Sequence, residues 1–73
     1  MSVSLADADT RDPHLVERTE AGGALGRELR TLGIVPGTWV RILSRTKGHL
    51  TLAVEDARYA VGTEVARAVI VRR

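Results

Sequence analysis

Few residues in this chain carry chemistry, and their spacing decides which kind. The two histidines, His14 and His49, lie far apart and belong to no His-x-x-His or His-Glu-x-x-His pattern. With no cysteine present, too few ligands converge to expect a metal site. Ser2, Ser4 and Ser44 have no base near them in sequence, so none reads as a nucleophile. The run Gly22-Gly23-Ala24-Leu25-Gly26 lacks both the lysine of a P-loop and a dinucleotide-binding context, so it reads as a strand-to-helix connector. Glu55-Asp56 sits at a turn tip, where a carboxylate pair is a solvated hairpin end. No catalytic constellation and no cofactor are expected.

What remains is the chemistry of recognition. Trp39 is the single tryptophan. Alternation along its strand sets it opposite Val40 and Ile42, beside Arg41, and an exposed aromatic next to arginine is a typical interface anchor. The competing expectation is that Trp39 covers the helix or an end of the core. Tyr59 reads as a packing residue with a wet hydroxyl. Arg27, Arg30, Arg41 and Arg45 either gather near the helix and the strand after it or stand as separate solvated charges.

The elements that position these residues follow from periodicity. Leu25, Leu29 and Leu32 recur at helical spacing, which predicts a helix over 24–32. Gly33 ends it in the left-handed conformation, and Ile34 then packs back on Leu29. Pro36-Gly37 suits the centre of a type II turn. Beyond it the period changes to two, giving strands over 38–45, through Leu50, Leu52 and Val54, and over 58–61. Thr63 reads as the N-cap of one helical turn, and Val69-Ile70-Val71 as a last strand. An earlier strand is expected over 14–20. Leu25, Leu29, Leu32, Val40, Ile42, Leu52, Val54, Val69 and Val71 form the expected core. About five short strands, one short α-helix and a helical turn make a mainly β chain and suggest a small barrel.

The 73 residues suffice for one small domain. Residues 1–13 hold three Asp against one Arg, a net −2, and read as a loose acidic segment. Residues 14–73 hold ten Lys or Arg against six Asp or Glu, a net +4, and form the expected domain. That excess favours anionic partners such as nucleic acid or a membrane surface. No apolar run approaches a membrane span and the first residues do not form a signal peptide, so a cytoplasmic protein is expected.

These residues resemble the FeoA family, the small ferrous iron transport proteins A of bacteria. The matching elements are Gly22-Gly23-Ala24-Leu25, then Leu29 through Thr38 with its Leu-Gly-Ile-x-Pro-Gly-Thr core, then Ala60-Val61, Glu64, Ala66, Val69 and Val71. The acidic lead of residues 7–13 and the glycine-free turn at Glu55-Asp56 depart from the family pattern. The resemblance implies an SH3-like barrel and a non-catalytic accessory or regulatory protein of ferrous iron uptake. It implies a FeoB-type membrane GTPase-permease as partner and no small-molecule substrate. The alternative is a nucleic-acid-binding small barrel. It draws on the basic domain charge but has only Trp39 and Tyr59 to stack on bases. A barrel hides its inward residues, so Arg30, Val35, Trp39 and Arg41, around the helix stop and the strand after it, are the expected contact residues.

Overall fold

The computed structural model describes residues 1–72; the expected domain end at residue 73 lies outside them. Along the chain run β1 (Ser2–Ser4), β2 (His14–Thr19), α1 (Gly23–Thr31), β3 (Trp39–Thr46), β4 (His49–Val54), β5 (Ala57–Gly62), α2 (Thr63–Arg67) and β6 (Val69–Arg72). The strands form one antiparallel ladder in the order β1-β6-β2-β3-β4-β5. It curls into a small barrel around the shared core. β1 and β5 end the ladder, and α2 links β5 to β6 while burying Ala66 completely.

The helix stop takes the geometry that the sequence implies. Leu32 is the C-cap of α1. The Gly33 N–H donates to the Arg30 carbonyl at 3.0 Å and the Ile34 N–H to the Leu29 carbonyl at 2.9 Å. This is the paired bonding of a Schellman stop. Gly33 takes φ +83°, open to glycine without strain. Leu29 and Ile34 are both 1% exposed, so the apolar clasp of the stop is also part of the core. Within α1, a methyl group on Gly26 would stand 2.8 Å from the Ala21 carbonyl oxygen. The preceding backbone therefore approaches the helix too closely for any side chain there.

Strand parity sets the rest of the core. Val40, Ile42, Leu50, Leu52 and Val54 all point inward and are at most 2% exposed. Leu43 follows Trp39 and Arg41 on the outer face and is exposed. The β3–β4 register shifts between Ile42 and Ser44, a bulge after which Ser44 pairs with Thr51 and Arg45 with the buried Leu50. The Glu55-Asp56 reversal runs without glycine, and Glu55 takes φ +54°. A side chain pays about 1–2 kcal/mol in that region.

Two expectations require correction. Thr63 does not cap α2: Gly62 is the N-cap and no side chain contributes. Thr63 is the first residue inside the helix, and its N–H donates to the Gly48 carbonyl at 3.0 Å, which ties the start of α2 to the β3–β4 turn. The first thirteen residues are not loose. Ser2–Ser4 pairs with β6, the Leu5 N–H donates to the Val69 carbonyl at 2.8 Å, and Leu5 and Ala8 are buried. Arg45 donates to the carbonyls of Leu5 and Ala8, and Arg41 to that of Arg11 at 3.0 Å. The segment's polar composition describes its outer side. Two apolar residues and two distant arginines hold its inner side.

Leu5→Ala and Leu29→Ala are each expected to cost about 2–5 kcal/mol, the range for a fully buried leucine. Denaturant unfolding checks both. Wild-type stability in Leu5→Ala would mean that the N-terminal segment does not belong to the core.

Candidate functional site

The turn after α1 is built to present the start of β3. The Thr38 N–H donates to the Val35 carbonyl at 3.1 Å, with Gly37 at φ +93°, as a type II turn requires. This turn is also stitched to β2. The Gly37 N–H donates to the Val16 carbonyl at 2.9 Å, and the Val16 N–H to the Thr38 carbonyl at 2.8 Å. Trp39 follows at once, paired in register with Leu15. Its backbone is fixed while its side chain remains 58% exposed. It faces outward rather than covering the helix or the core.

Trp39 is a ridge between two shallow hollows. One is bordered by Pro13, Thr38, Trp39, Arg41, Ala53 and Glu55. The other is bordered by Asp9, Asp12, His14, Leu15, Trp39 and Arg72. The second owes its shape to the N-terminal segment. Asp9 Oδ1 accepts the N–H groups of Arg11 at 2.9 Å and Asp12 at 3.4 Å. These backbone donors hold the Asp9 carboxyl below its ordinary range. The Asp9 carbonyl, an acceptor only, lies 2.8 Å from Nε2 of the buried His14. The proton of that hydrogen bond therefore sits on Nε2. His14 is thus a structural pin for the segment.

The four expected contact residues fall into two groups. Trp39 and Arg41 border the same hollow. Val35 is half-buried in the turn, and Arg30 is exposed on the last turn of α1. Neither borders a hollow flanking Trp39. Arg41 and Arg45 turn to the carbonyls of the N-terminal segment instead of gathering with Arg27 and Arg30. Tyr59 is half-buried against the core.

Ala53, Asp9 and Asp12 were not singled out from the sequence. Alternation already showed that Ala53 faces outward. Only the β3–β4 register, which pairs it with Arg41, reveals that its small side chain leaves a hollow. Among the described residues no three His, Cys, Asp or Glu side chains converge as metal ligands. No helix there is long and apolar enough to cross a membrane. The chemistry on offer around Trp39 is apolar burial, stacking and charge-assisted hydrogen bonding.

A family model for the FeoA domain matches residues 3–73. The crystal structure of an iron uptake regulatory protein, FeoA, aligns at 28% identity with a TM-score of 0.87, covering 99% of this chain and 96% of that one. The FeoA of Stenotrophomonas maltophilia, solved in complex with zinc and described as a prokaryotic SH3 domain protein, aligns at 28% identity with a TM-score of 0.84. That match covers 96% of this chain and 89% of the other. A manganese-dependent transcriptional repressor aligns at 25% identity and a TM-score of 0.87, over 96% of this chain but 40% of its own. The chain thus corresponds to one part of that longer protein. No curated protein matches the chain in sequence. The barrel is an SH3-like fold, as the resemblance implied.

The lowered Asp9 pKa gives a pH signature. A carboxylate depressed in the folded state stabilises above its unfolded pKa, and that contribution is lost as pH falls through the folded value. Asp9→Asn is therefore expected to be less stable than wild type near neutral pH, with the gap closing as the pH falls below the ordinary carboxylate range and Asp9 takes up its proton. Unfolding curves across the acid range check this; a gap independent of pH would contradict it.

Proposed function

Because this chain belongs to the FeoA family, we propose that it is a non-catalytic accessory or regulatory protein of bacterial ferrous iron uptake. It works in the cytoplasm by binding the cytoplasmic part of a FeoB-type membrane GTPase-permease. The observation that carries the contact assignment is Trp39, a large aromatic left 58% exposed on a backbone paired with Leu15 of β2 and preceded by a turn bonded to Val16. An exposed tryptophan on a mobile loop would lose much of its contact energy to ordering; here that cost is already met by folding. Arg41 adds a charge-assisted donor beside it, and Trp and Arg are the types that most often dominate contact energy. Arg30 and the half-buried Val35 extend the contact surface along the helix stop. Family membership supports the iron-uptake role, and the absence of a nucleophile–base arrangement in the sequence agrees with an action through binding.

Trp39→Ala is expected to weaken binding to the cytoplasmic region of such a transporter by about 1–2 kcal/mol or more, with the fold intact. Calorimetry with that fragment, alongside circular dichroism of the variant, checks it. Unchanged affinity in both Trp39→Ala and Arg41→Ala would remove the surface assignment. No transporter binding by wild type, together with tight salt-dependent binding to RNA or DNA, would replace this reading with the nucleic-acid one.

A further inference from the structure

The outer face of the β3–β4–β5 sheet carries a pattern that neither the fold nor the iron-uptake role requires. In register, Arg41 pairs with Ala53, and Ala53 pairs with Arg58. The three therefore form one row across the sheet. Their strand neighbours Val40, Ile42, Leu52 and Val54 point into the core, so this row points out. Two inter-strand spacings separate the Arg41 and Arg58 backbones, about 9–10 Å. Both arginines are exposed and the alanine between them is half-buried. Among the described residues the ion pairs involve Arg18 and Arg67, so neither arginine of the row has a carboxylate partner. Arg41 gives one donor to the Arg11 carbonyl, and a guanidinium has five. The next paired row, Ser44, Thr51 and Ala60, is small and uncharged, and the bulged Leu43 beside it is apolar and exposed. Trp39 and Ala53 border the hollow beside the row, and Glu55 closes its rim.

We infer that this face takes a short acidic segment of a partner protein carrying one apolar side chain. The apolar group enters the hollow between Trp39 and Ala53, and flanking carboxylates meet Arg41 and Arg58. This rests on the reading of the Trp39 face as the contact surface and names the chemistry of what it contacts. The charge layout sets the orientation. Glu55 and the adjacent Asp56 lie at the hairpin tip, so the ligand's carboxylates lie along the arginine row and away from that tip. The same acids argue against nucleic acid. A phosphate backbone crossing this face would meet Glu55 and Asp56 at the tip, or Asp9 and Asp12 on the far side of Trp39. A short acidic segment lies beside Glu55 only through its apolar side chain in the hollow, and can set its carboxylates on the two arginines.

The test is an NMR titration of the isotope-labelled full chain with a short synthetic peptide, a leucine flanked on both sides by glutamates. Its lysine counterpart is the control. The glutamate peptide is expected to shift the Trp39 indole and the amides of Arg41, Ala53 and Arg58, and the lysine peptide to leave them unmoved. Arg58→Glu, which reverses one charge, and Ala53→Ile, which fills the hollow, should each weaken binding about tenfold or more while spectra elsewhere stay native. Arg58→Gln takes the place of Arg58→Glu if the latter does not fold. No shift at this face, equal response to the lysine peptide, or wild-type affinity in both variants would overturn the inference. Tighter binding of an RNA oligonucleotide at the same residues would overturn it as well. A parallel titration with the transporter's cytoplasmic fragment separates the two readings. Fragment binding indifferent to Arg58→Glu keeps the transporter and rejects the acidic segment. Peptide binding at this face without fragment binding does the reverse.

Discussion

Two hydrogen bonds through Val16 hold the architecture together. One residue of β2 accepts from Gly37 and donates to Thr38, and so fixes the turn between α1 and β3. Val16 is itself 1% exposed, which shields both bonds from water, where a competing partner would weaken them. Upstream, the helix must stop at Gly33 for the turn to reach Val16. Downstream, β3 starts with its first residue already aligned on β2. The outward direction of Trp39 and Arg41, which precede the β3 bulge, descends from this junction.

The N-terminal segment plays a complementary part. Its buried Leu5 and Ala8 supply apolar volume that so small a chain can ill spare. It is fastened by arginines of β3, whose donors reach backbone carbonyls rather than acids. The same segment brings Asp9 and Asp12 beside Trp39, so the ridge separates an acidic hollow from one bordered by Arg41. Fold and proposed contact surface share residues here: Arg41 both ties down the segment and lines the hollow.

Local rules explain most of what could be read in advance. The helix stop, the Pro36-Gly37 turn and the inward alternation of Leu50, Leu52 and Val54 depend on residues a few positions apart, and each formed as its pattern implied. Parity set Trp39 opposite Val40 and Ile42, but whether it stood free or covered the helix or an end of the core was not legible in the sequence; it stands 58% exposed. β1 was not legible, because three residues are too few to show a period and its apolar partners lie on β6. Thr63 is not the cap because the helix starts one residue earlier than the pattern implied: Gly62, the extended last residue of β5, takes the N-cap place and Thr63 is the first helical residue. Arg58 and Ala53 drew no attention as a binding pair, because their alignment with Arg41 exists only in the register of three strands. Leu25 and Leu32, expected in the core, are half-buried at its margin, since a single helix on a barrel buries only a narrow stripe.

A FeoA-type barrel that works by contact needs its contact residues placed before the partner arrives. The stop and the turn locked on Val16 supply that placement. Native-state hydrogen exchange of the Val16, Ile34 and Gly37 amides tests it most directly. If the junction is part of the cooperative core, these amides exchange only through global unfolding, with protection equal to the whole domain's stability, about 5–10 kcal/mol. Exchange of Gly37 and Ile34 through a local opening well below that value, while the β3–β4 amides stay protected, would contradict the account.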